Sequence, residues 1–174
     1  MGRFIFLTLS LLVVTVSLNG IGADHPCPTD WSPFEHFCYK FFKEQKTWDE
    51  AERFCVQEQN GSHLASIQSW AESAYVARLV LIHVPTSNNR LVSRKDSCVY
   101  IGLNDPEKNG TWEWIDGSNF GYTSWETLQP NNRDDKQYCV VLTKRSKYLG
   151  WNNVNCESKR FFICKLQPES AGSP

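Results

Sequence analysis

Seven cysteines, all beyond an apolar leader, constrain this chain more than any other feature of its sequence. Seven cysteines behind a secretory leader predict a disulfide framework formed in an oxidising compartment. Because seven is odd, one thiol is left over, either to pair with another chain or to stay free. Zinc ligation is disfavoured, because no C-x-x-C pair occurs and the histidines keep no ligand spacing with the cysteines. The seven are Cys27, Cys38, Cys55, Cys98, Cys139, Cys156 and Cys164.

The first residues have the pattern of a cleaved secretory signal. Arg3 supplies a positive charge, an apolar run extends from Phe4 to about Val16, and small residues lead to Ala23. A transmembrane anchor is disfavoured, because the run is short, interrupted by hydroxyl side chains and not followed by a charge cluster. We therefore predict a signal peptide over 1–23, secretion to the extracellular space and no membrane insertion.

About 150 residues remain after the leader, which is enough for one domain with its own core. We predict this domain over 24–166, followed by a polar tail over 167–174 with the sequence QPESAGSP. The net charge is −1 and the basic residues are scattered among acids. Nucleic-acid binding requires a clustered basic surface, so nucleic acid is not an expected partner.

Two capping signals predict two helices early in the chain. Thr47-Trp48-Asp49-Glu50 is a capping box, and it predicts a first helix over 47–58. A similar signal begins at Ser69 and predicts a second helix that ends at Pro85. The predicted apolar face of the first helix contains Trp48, Ala51 and Cys55, and that of the second contains Ala71, Tyr75, Leu79 and Ile82.

From Val99 onward the sequence changes to short aromatic or β-branched runs separated by turn residues. The runs are VYIGL, TWEW, YCVVL, LGW and FFIC, and each is typical of a strand. A hairpin is also predicted before the helices, around Cys27 and Cys38. The order indicates an α+β domain. The long segment between TWEW and YCVVL has little periodicity, and we predict that it is a binding loop.

Together these motifs resemble the C-type lectin domain. The resemblance is carried by the cysteines, the VYIGL and TWEW strands, QPN at 129–131 and WNN at 151–153, in one order from Cys27 to Lys165. The leader and the opening CPTDWSPFEHFCYK look most like secreted snake-venom members, both sugar-binding lectins and lectin-like snaclecs. The resemblance implies a C-type lectin fold, with two helices, antiparallel sheets, a long binding loop and disulfide staples.

The resemblance also implies three disulfides and leaves one cysteine over. The extra one is Cys98, in a segment, SNNRLVSRKDSC, that is longer than the family's link between second helix and sheet. This cysteine is expected either to form an interchain disulfide in a dimer or to remain a free thiol. The implied pairs are Cys27–Cys38, Cys55–Cys164 and Cys139–Cys156.

In sugar-binding members of the family, five side chains hold one calcium ion that also binds sugar hydroxyls. The family usually has acids at two of these positions, where this chain has amides, at Gln137 and Asn153. Calcium affinity depends on the number of carboxylates around the ion, so we expect the site to be nearly empty at extracellular calcium. Pro130, which the family uses mostly as a cis bond, is present. The five matching positions are Gln129, Asn131, Gln137, Asn152 and Asn153.

The family's auxiliary calcium site is predicted to be impaired as well. Rescue of ion binding by the loop acids Asp134 and Asp135 is an alternative to their being solvated side chains. If calcium does bind, the mixed QPN motif leaves the choice between mannose and galactose open. At the auxiliary site Asp105 matches the family, whereas Asn109, Asn132, Gln137 and Tyr138 stand where acids are expected.

Two binding functions follow from the resemblance. The leading hypothesis is a secreted, non-enzymatic binding module that recognises platelet receptors or clotting factors, as snaclecs do, and interferes with haemostasis. The alternative is a calcium-dependent lectin that binds mannose or galactose and agglutinates cells. In both cases the partners are cell-surface or plasma glycoproteins, and calcium is a cofactor only in the second.

Two further features bear on function and modification. No G-x-S-x-G or H-E-x-x-H motif occurs, so no enzymatic activity is predicted. Most of the four tryptophans of the second half, Trp112, Trp114, Trp125 and Trp151, are expected to pack in the core rather than stack on sugar. Asn60 and Asn109 begin glycosylation sequons, and we predict them as glycan acceptors.

Overall fold

Two helices and eight hydrogen-bonded strands form the domain in the computed structural model, which describes residues 27–85, 97–132 and 136–168. The signal peptide predicted over 1–23 and most of the predicted tail lie outside the described residues. The helices are α1 (Trp48–Glu58) and α2 (Trp70–His83). The strands are β1 (Ser32–Phe34), β2 (Phe37–Lys46), β3 (Ser62–Leu64), β4 (Val99–Asn104), β5 (Glu113–Trp114), β6 (Cys139–Leu142), β7 (Trp151–Val154) and β8 (Arg160–Leu166).

Helix α1 begins at the predicted capping box. The backbone N–H of Glu50 donates to Thr47 Oγ1, and the backbone N–H of Thr47 donates to the Glu50 carboxylate. These bonds satisfy two donors at the helix start. The hydrogen bond from Thr47 also lowers the pKa of Glu50. The buried face contains Trp48, Ala51 and Cys55, which confirms the predicted apolar face.

Helix α2 also begins as predicted, but its buried face differs from the predicted one. Ser69 Oγ accepts a hydrogen bond from the N–H of Glu72, and the helix ends at His83, two residues before Pro85. Ile82 is 66% exposed, so the predicted face was wrong at that residue. Ala71 is exposed as well, whereas Tyr75 and Leu79 are half-buried and buried. The residues that the helix buries are Glu72, Ser73, Val76, Ala77, Leu79 and Val80.

A buried ion pair explains this rotation of α2. Glu72 Oε1 lies 2.6 Å from Lys165 Nζ on β8, and both side chains are almost fully buried. The hydroxyl of Tyr39 donates to the same carboxylate oxygen at 2.5 Å, and the backbone N–H of Gln68 donates to the other. Periodicity of apolar residues cannot find an inward glutamate, because its partners come from distant parts of the chain.

The sheet has the strand order β1-β2-β8-β4-β6-β7, with β3 paired to β8 and β5 paired to β4. The pairings are antiparallel, as predicted, except for β4 and β8, which run parallel with Val99 opposite Phe161. Strand β8 therefore joins the N-terminal hairpin to the second half of the chain. Neither described helix is long and apolar enough to cross a membrane.

Three disulfides reinforce this arrangement, and they are the pairs implied by the resemblance. One ties the start of the described chain to β2, one joins α1 to β8, and one joins β6 to the turn after β7. Cys98, immediately before β4, takes part in none of the three and is half-buried. The bonds are Cys27–Cys38, Cys55–Cys164 and Cys139–Cys156.

Aromatic packing holds the long segment between β5 and β6 against the sheet. Trp151 on β7 is fully buried, and its ring meets those of Trp114, Tyr122 and Trp125 edge to face at centroid distances of 5.5 to 5.8 Å. The backbone of Trp151 also accepts from the N–H of Glu126 and donates to the carbonyl of Ser124. Trp114 and Trp151 are therefore core residues, as expected, and they position the loop.

Candidate binding site in the long loop

The loop over 115–138 and strand β7 bring the predicted calcium positions into one region. Strand β7 carries Asn152 and Asn153, and it pairs with β6 so that Asn153 lies opposite Val140. The loop is fastened beside β7 by the Trp151 contacts, and it presents Gln129 and Asn131 to the same edge. The sequence-predicted positions are therefore close in space, although three loop residues, 133–135, lie outside the described residues.

Asn153 connects two positions in the last part of the loop. It is only 1% exposed. Its Oδ1 accepts a hydrogen bond of 3.1 Å from the backbone N–H of Asn131, and its Nδ2 donates one of 2.9 Å to the carbonyl of Gln137. An amide can make both bonds because it carries a donor and an acceptor, whereas an aspartate only accepts. The sequence predicted a weakened metal ligand at this position. It contains no local pattern that predicts the hydrogen bonds from Asn153 to Asn131 and Gln137.

Gln137 is held by its backbone on both sides. Its carbonyl accepts from Asn153, and its N–H donates to Asn132 Oδ1 at 3.3 Å. Asn132 has a positive φ of 40°, a conformation that asparagine tolerates better than most residues. Two of the predicted acid-replacing amides thus take part in a network inside the loop. Asp134 and Asp135, the acids considered for rescue, lie outside the described residues.

The other side of the site contains the Gln-Pro-Asn motif. The bond between Gln129 and Pro130 is cis, in agreement with the family's usual geometry. The Oε1 atom of Gln129 is buried without a hydrogen-bond partner among the described residues. Leu128, immediately before it, is 84% exposed and has a positive φ of 67°. Asn131 and Asn152 are half-buried.

The described residues of the loop and strand β7 do not fit a calcium ion. The five family positions supply only neutral amides, and calcium affinity depends on carboxylate charge. Both ends of the Asn153 amide are used inside the protein. Over residues 27–85, 97–132 and 136–168, no group of three or more His, Cys, Asp and Glu side chains is arranged to hold a metal. Gln129 Oε1 is the one predicted ligand atom whose burial leaves it without a partner there.

At the auxiliary calcium site, the one matching acid forms internal hydrogen bonds and a lysine side chain lies nearby. Asp105 is 2% exposed, and its carboxylate accepts the backbone N–H groups of Asn109 and Gly110 at 3.2 and 2.8 Å. Lys108 lies over the ring of Tyr138, with Nζ 5.4 Å from the ring centroid. Asp105 therefore closes a turn, and an ammonium group stands near where the family has acids.

The two predicted glycan acceptors lie on exposed turns. Asn60 follows α1, and Asn109 lies in the turn closed by Asp105. The Oδ1 atom of Asn109 accepts from the backbone N–H of Thr111 at 2.9 Å. Both side chains are reachable from solvent in this arrangement, and their modification stays a prediction.

Comparison with known proteins identifies the family. The family model described as the lectin C-type domain matches residues 44–166. The chain belongs to the C-type lectin family. The C-type lectin lectoxin-Lei1 of Leioheterodon madagascariensis is 59% identical over 166 residues, covering 95% of this chain and 100% of that protein. A C-type lectin mannose-binding isoform of Notechis scutatus scutatus is 44% identical over 167 residues, covering 96% and 99%.

Solved structures support the same C-type lectin fold. Human lithostathine is 34% identical, with a TM-score of 0.71, covering 81% of this chain and 99% of that chain. A calcium-independent type II antifreeze protein is 27% identical, with a TM-score of 0.66, covering 82% of this chain and 95% of that chain. The resemblance to snake-venom C-type lectins that the sequence indicated is confirmed by the lectoxin relative.

Proposed function

We propose that this C-type lectin is a secreted, non-enzymatic protein that recognises platelet receptors or clotting factors without calcium and thereby interferes with haemostasis. The observation that carries the proposal is the double hydrogen bond of Asn153, which ties Asn131 to Gln137. The loop keeps its shape through a side-chain amide, so recognition does not require an ion to organise it.

Direct contacts must then supply the affinity for a partner. Leu128 offers such a contact, because it is 84% exposed and adjoins the Gln-Pro-Asn motif. Burial of a leucine side chain against a partner contributes about 1.5–3 kcal/mol. The fold is also compatible with function that needs no ion, because the antifreeze protein that shares it is calcium-independent.

The test is capture of platelets and plasma proteins on the immobilised chain, in calcium and in chelator. We expect equal capture in both, no competition by mannose or galactose, and weaker capture by Leu128→Ser. The matched control is Leu81→Ser, because Leu81 is an exposed leucine on α2 and not part of the loop. Capture that chelator abolishes, or that Leu81→Ser and Leu128→Ser weaken equally, would contradict the proposal.

A second candidate, a calcium-dependent lectin that binds mannose or galactose and agglutinates cells, is favoured by a different observation. Gln129 Oε1 is buried without a described partner beside a cis proline bond, which suits an oxygen ligand. One relative is named as a mannose-binding isoform. Calorimetry decides between the candidates: a clear heat of calcium binding and chelator-sensitive retention on a mannose or galactose column would establish the second and exclude the first.

A further inference from the structure

A cavity of about 770 Å³ lies beside the auxiliary calcium positions Asp105 and Tyr138 and outside the five sugar-site positions. It is bounded by the start of α1, the ends of β4 and β5, and the turn after β7. None of the five calcium positions lines it. Its walls include the aromatic side chains of Trp48 and Tyr138 and the disulfide between Cys139 and Cys156.

One wall of the cavity contains a buried acceptor without a donor. Asn104, the last residue of β4, is only 7% exposed and lines the cavity. Its Oδ1 atom has no hydrogen-bond partner among the described residues. Buried polar atoms in folded proteins are nearly always hydrogen-bonded, so this oxygen indicates a position where a ligand's donor is accommodated.

Three carboxylates surround the same cavity. Asp49, Glu113 and Glu157 line it and are exposed, and none of them forms an ion pair with another described residue. The fourth lining acid, Asp105, is already satisfied by two backbone N–H groups. The cavity therefore combines one buried neutral acceptor, three exposed carboxylates and the hydrogen-bonded carboxylate of Asp105.

Two lysines limit what the cavity attracts. Lys108 and Lys136 also line it, and Lys108 lies over the ring of Tyr138. The four lining carboxylates, Asp105 included, exceed these two ammonium groups by two charges. The balance favours a cationic ligand, and the lysines would repel a polycation.

We propose that this cavity binds one arginine side chain presented by a protein partner. A guanidinium group is planar, always charged and carries five N–H donors with no acceptor. Its N–H donors are complementary to the acceptors of Asn104, Asp49 and Glu113, which line the same cavity. This inference goes beyond the proposed function, because it names a chemical group on the partner and uses a surface outside the five sugar-site calcium positions, lined by Asp105 and Tyr138 of the auxiliary site.

The experiment uses the oxidised mature chain in chelator, so that its outcome does not depend on the calcium question. Amide resonances of the isotope-labelled protein are followed while N-acetyl-L-arginine amide is added. The matched probe is N-acetyl-L-citrulline amide, which has a closely similar shape without the charge. We expect saturable shifts at Asn104 and Tyr138 with the arginine probe and much weaker ones with the citrulline probe.

Variants connect the shifts to the cavity. Glu113→Gln should lower the affinity for the arginine probe about threefold, as expected for a solvent-exposed ion pair. Asn104→Leu should weaken it about tenfold while the protein stays folded, because it replaces the partnerless acceptor by an apolar group of similar size. The control is Asp30→Asn, which removes a charge outside the cavity at a positive φ of 68° that asparagine tolerates.

The outcomes separate this inference from the proposed function. The inference is supported if arginine binding is saturable, is weakened by Glu113→Gln and is unchanged by Asp30→Asn. If Asn104→Leu does not fold, Asp49→Asn is measured in its place. Absence of saturable shifts, equal binding of citrulline, or unchanged affinity in both Glu113→Gln and Asp49→Asn would overturn it. In each of these cases the capture of platelets or plasma proteins in chelator is still judged on its own result.

Discussion

The backbone N–H of Asn131 donates a hydrogen bond of 3.1 Å to Oδ1 of Asn153, a residue 22 positions later in the chain. The other end of the same amide donates to the carbonyl of Gln137. The buried side chain of Asn153 thus links the Gln-Pro-Asn motif to the segment that leads into β6. This bridge requires an amide, because a carboxylate has no N–H to donate.

Replacing this amide should weaken the loop in the absence of an ion. Asn153→Asp loses the donor to Gln137, and we expect a cost of about 1–3 kcal/mol in chelator. This corresponds to a fall in melting temperature of about 2–4 °C per kcal/mol for a domain of this size. The control is Asn132→Asp, which adds the same charge but still accepts the N–H of Gln137. Equal melting temperatures for the two variants would contradict the role of Asn153.

Carboxylates introduced at positions 153 and 137 should make the stability of the folded domain depend on calcium. In the double variant Asn153→Asp, Gln137→Glu we expect millimolar calcium to raise the melting temperature, because an ion that binds only the folded state stabilises it. A calcium concentration about 100 times the dissociation constant corresponds to about 2.7 kcal/mol. The unmodified chain should show no shift. A calcium shift of similar size in the unmodified chain would contradict the expectation that its amides leave the site without affinity for calcium.

Lys165→Met should be among the most destabilising substitutions. It leaves the carboxylate of Glu72 buried without its cation, at a cost of about 3–5 kcal/mol. Adding Glu72→Gln should restore part of this loss, because glutamine is neutral and still accepts the N–H of Gln68. The pair is checked by urea unfolding under oxidising conditions. If the double variant is no more stable than Lys165→Met, the unpaired charge of Glu72 is not the cause of the destabilisation.

Stability should fall at alkaline pH because of Tyr39. Burial, followed by the charge of Glu72, raises the pKa of this hydroxyl above its ordinary value of 10.0. A raised pKa means that the stabilisation is complete below the unfolded pKa and is lost as the pH rises above it. We expect a slope of up to about 1.4 kcal/mol per pH unit above about pH 10 from each such tyrosine.

The variant Tyr39→Phe isolates this contribution. Its unfolding free energy should decline less steeply above about pH 10 than that of the unmodified chain. Some decline should remain, because burial raises the pKa of Tyr100 as well. Urea unfolding at several alkaline pH values measures the slope. Identical slopes for the two proteins would show that folding does not raise the pKa of Tyr39.

Cys98 is expected either to link two chains or to remain a thiol within one chain. If it links two chains, the purified protein should migrate as a dimer in non-reducing electrophoresis and as a monomer after reduction. Cys98→Ser should migrate as a monomer in both, while the three internal disulfides keep it folded. A monomeric unmodified protein under non-reducing conditions would assign Cys98 to the alternative, a thiol within one chain.

Much of the architecture was accessible from local sequence signals. The capping box at Thr47 and the spacing of Trp48, Ala51 and Cys55 predicted α1 and its buried face correctly, because both act within one or two helical turns. Helix α2 was found from Ser69, but its face was not. The inward turn of Glu72 depends on Lys165, 93 residues away in the chain, and no local pattern encodes that contact.

The candidate site divides in the same way. The sequence by itself determined which residues stand at the calcium positions, their lack of charge and the framework of cysteines, because these follow from residue identity and order. Only the tertiary structure decided that Asn153 bridges the loop and that Asn104 faces a cavity beside Glu113. Hydrogen bonds and burial depend on which distant backbone atoms meet, and folding alone brings those atoms together.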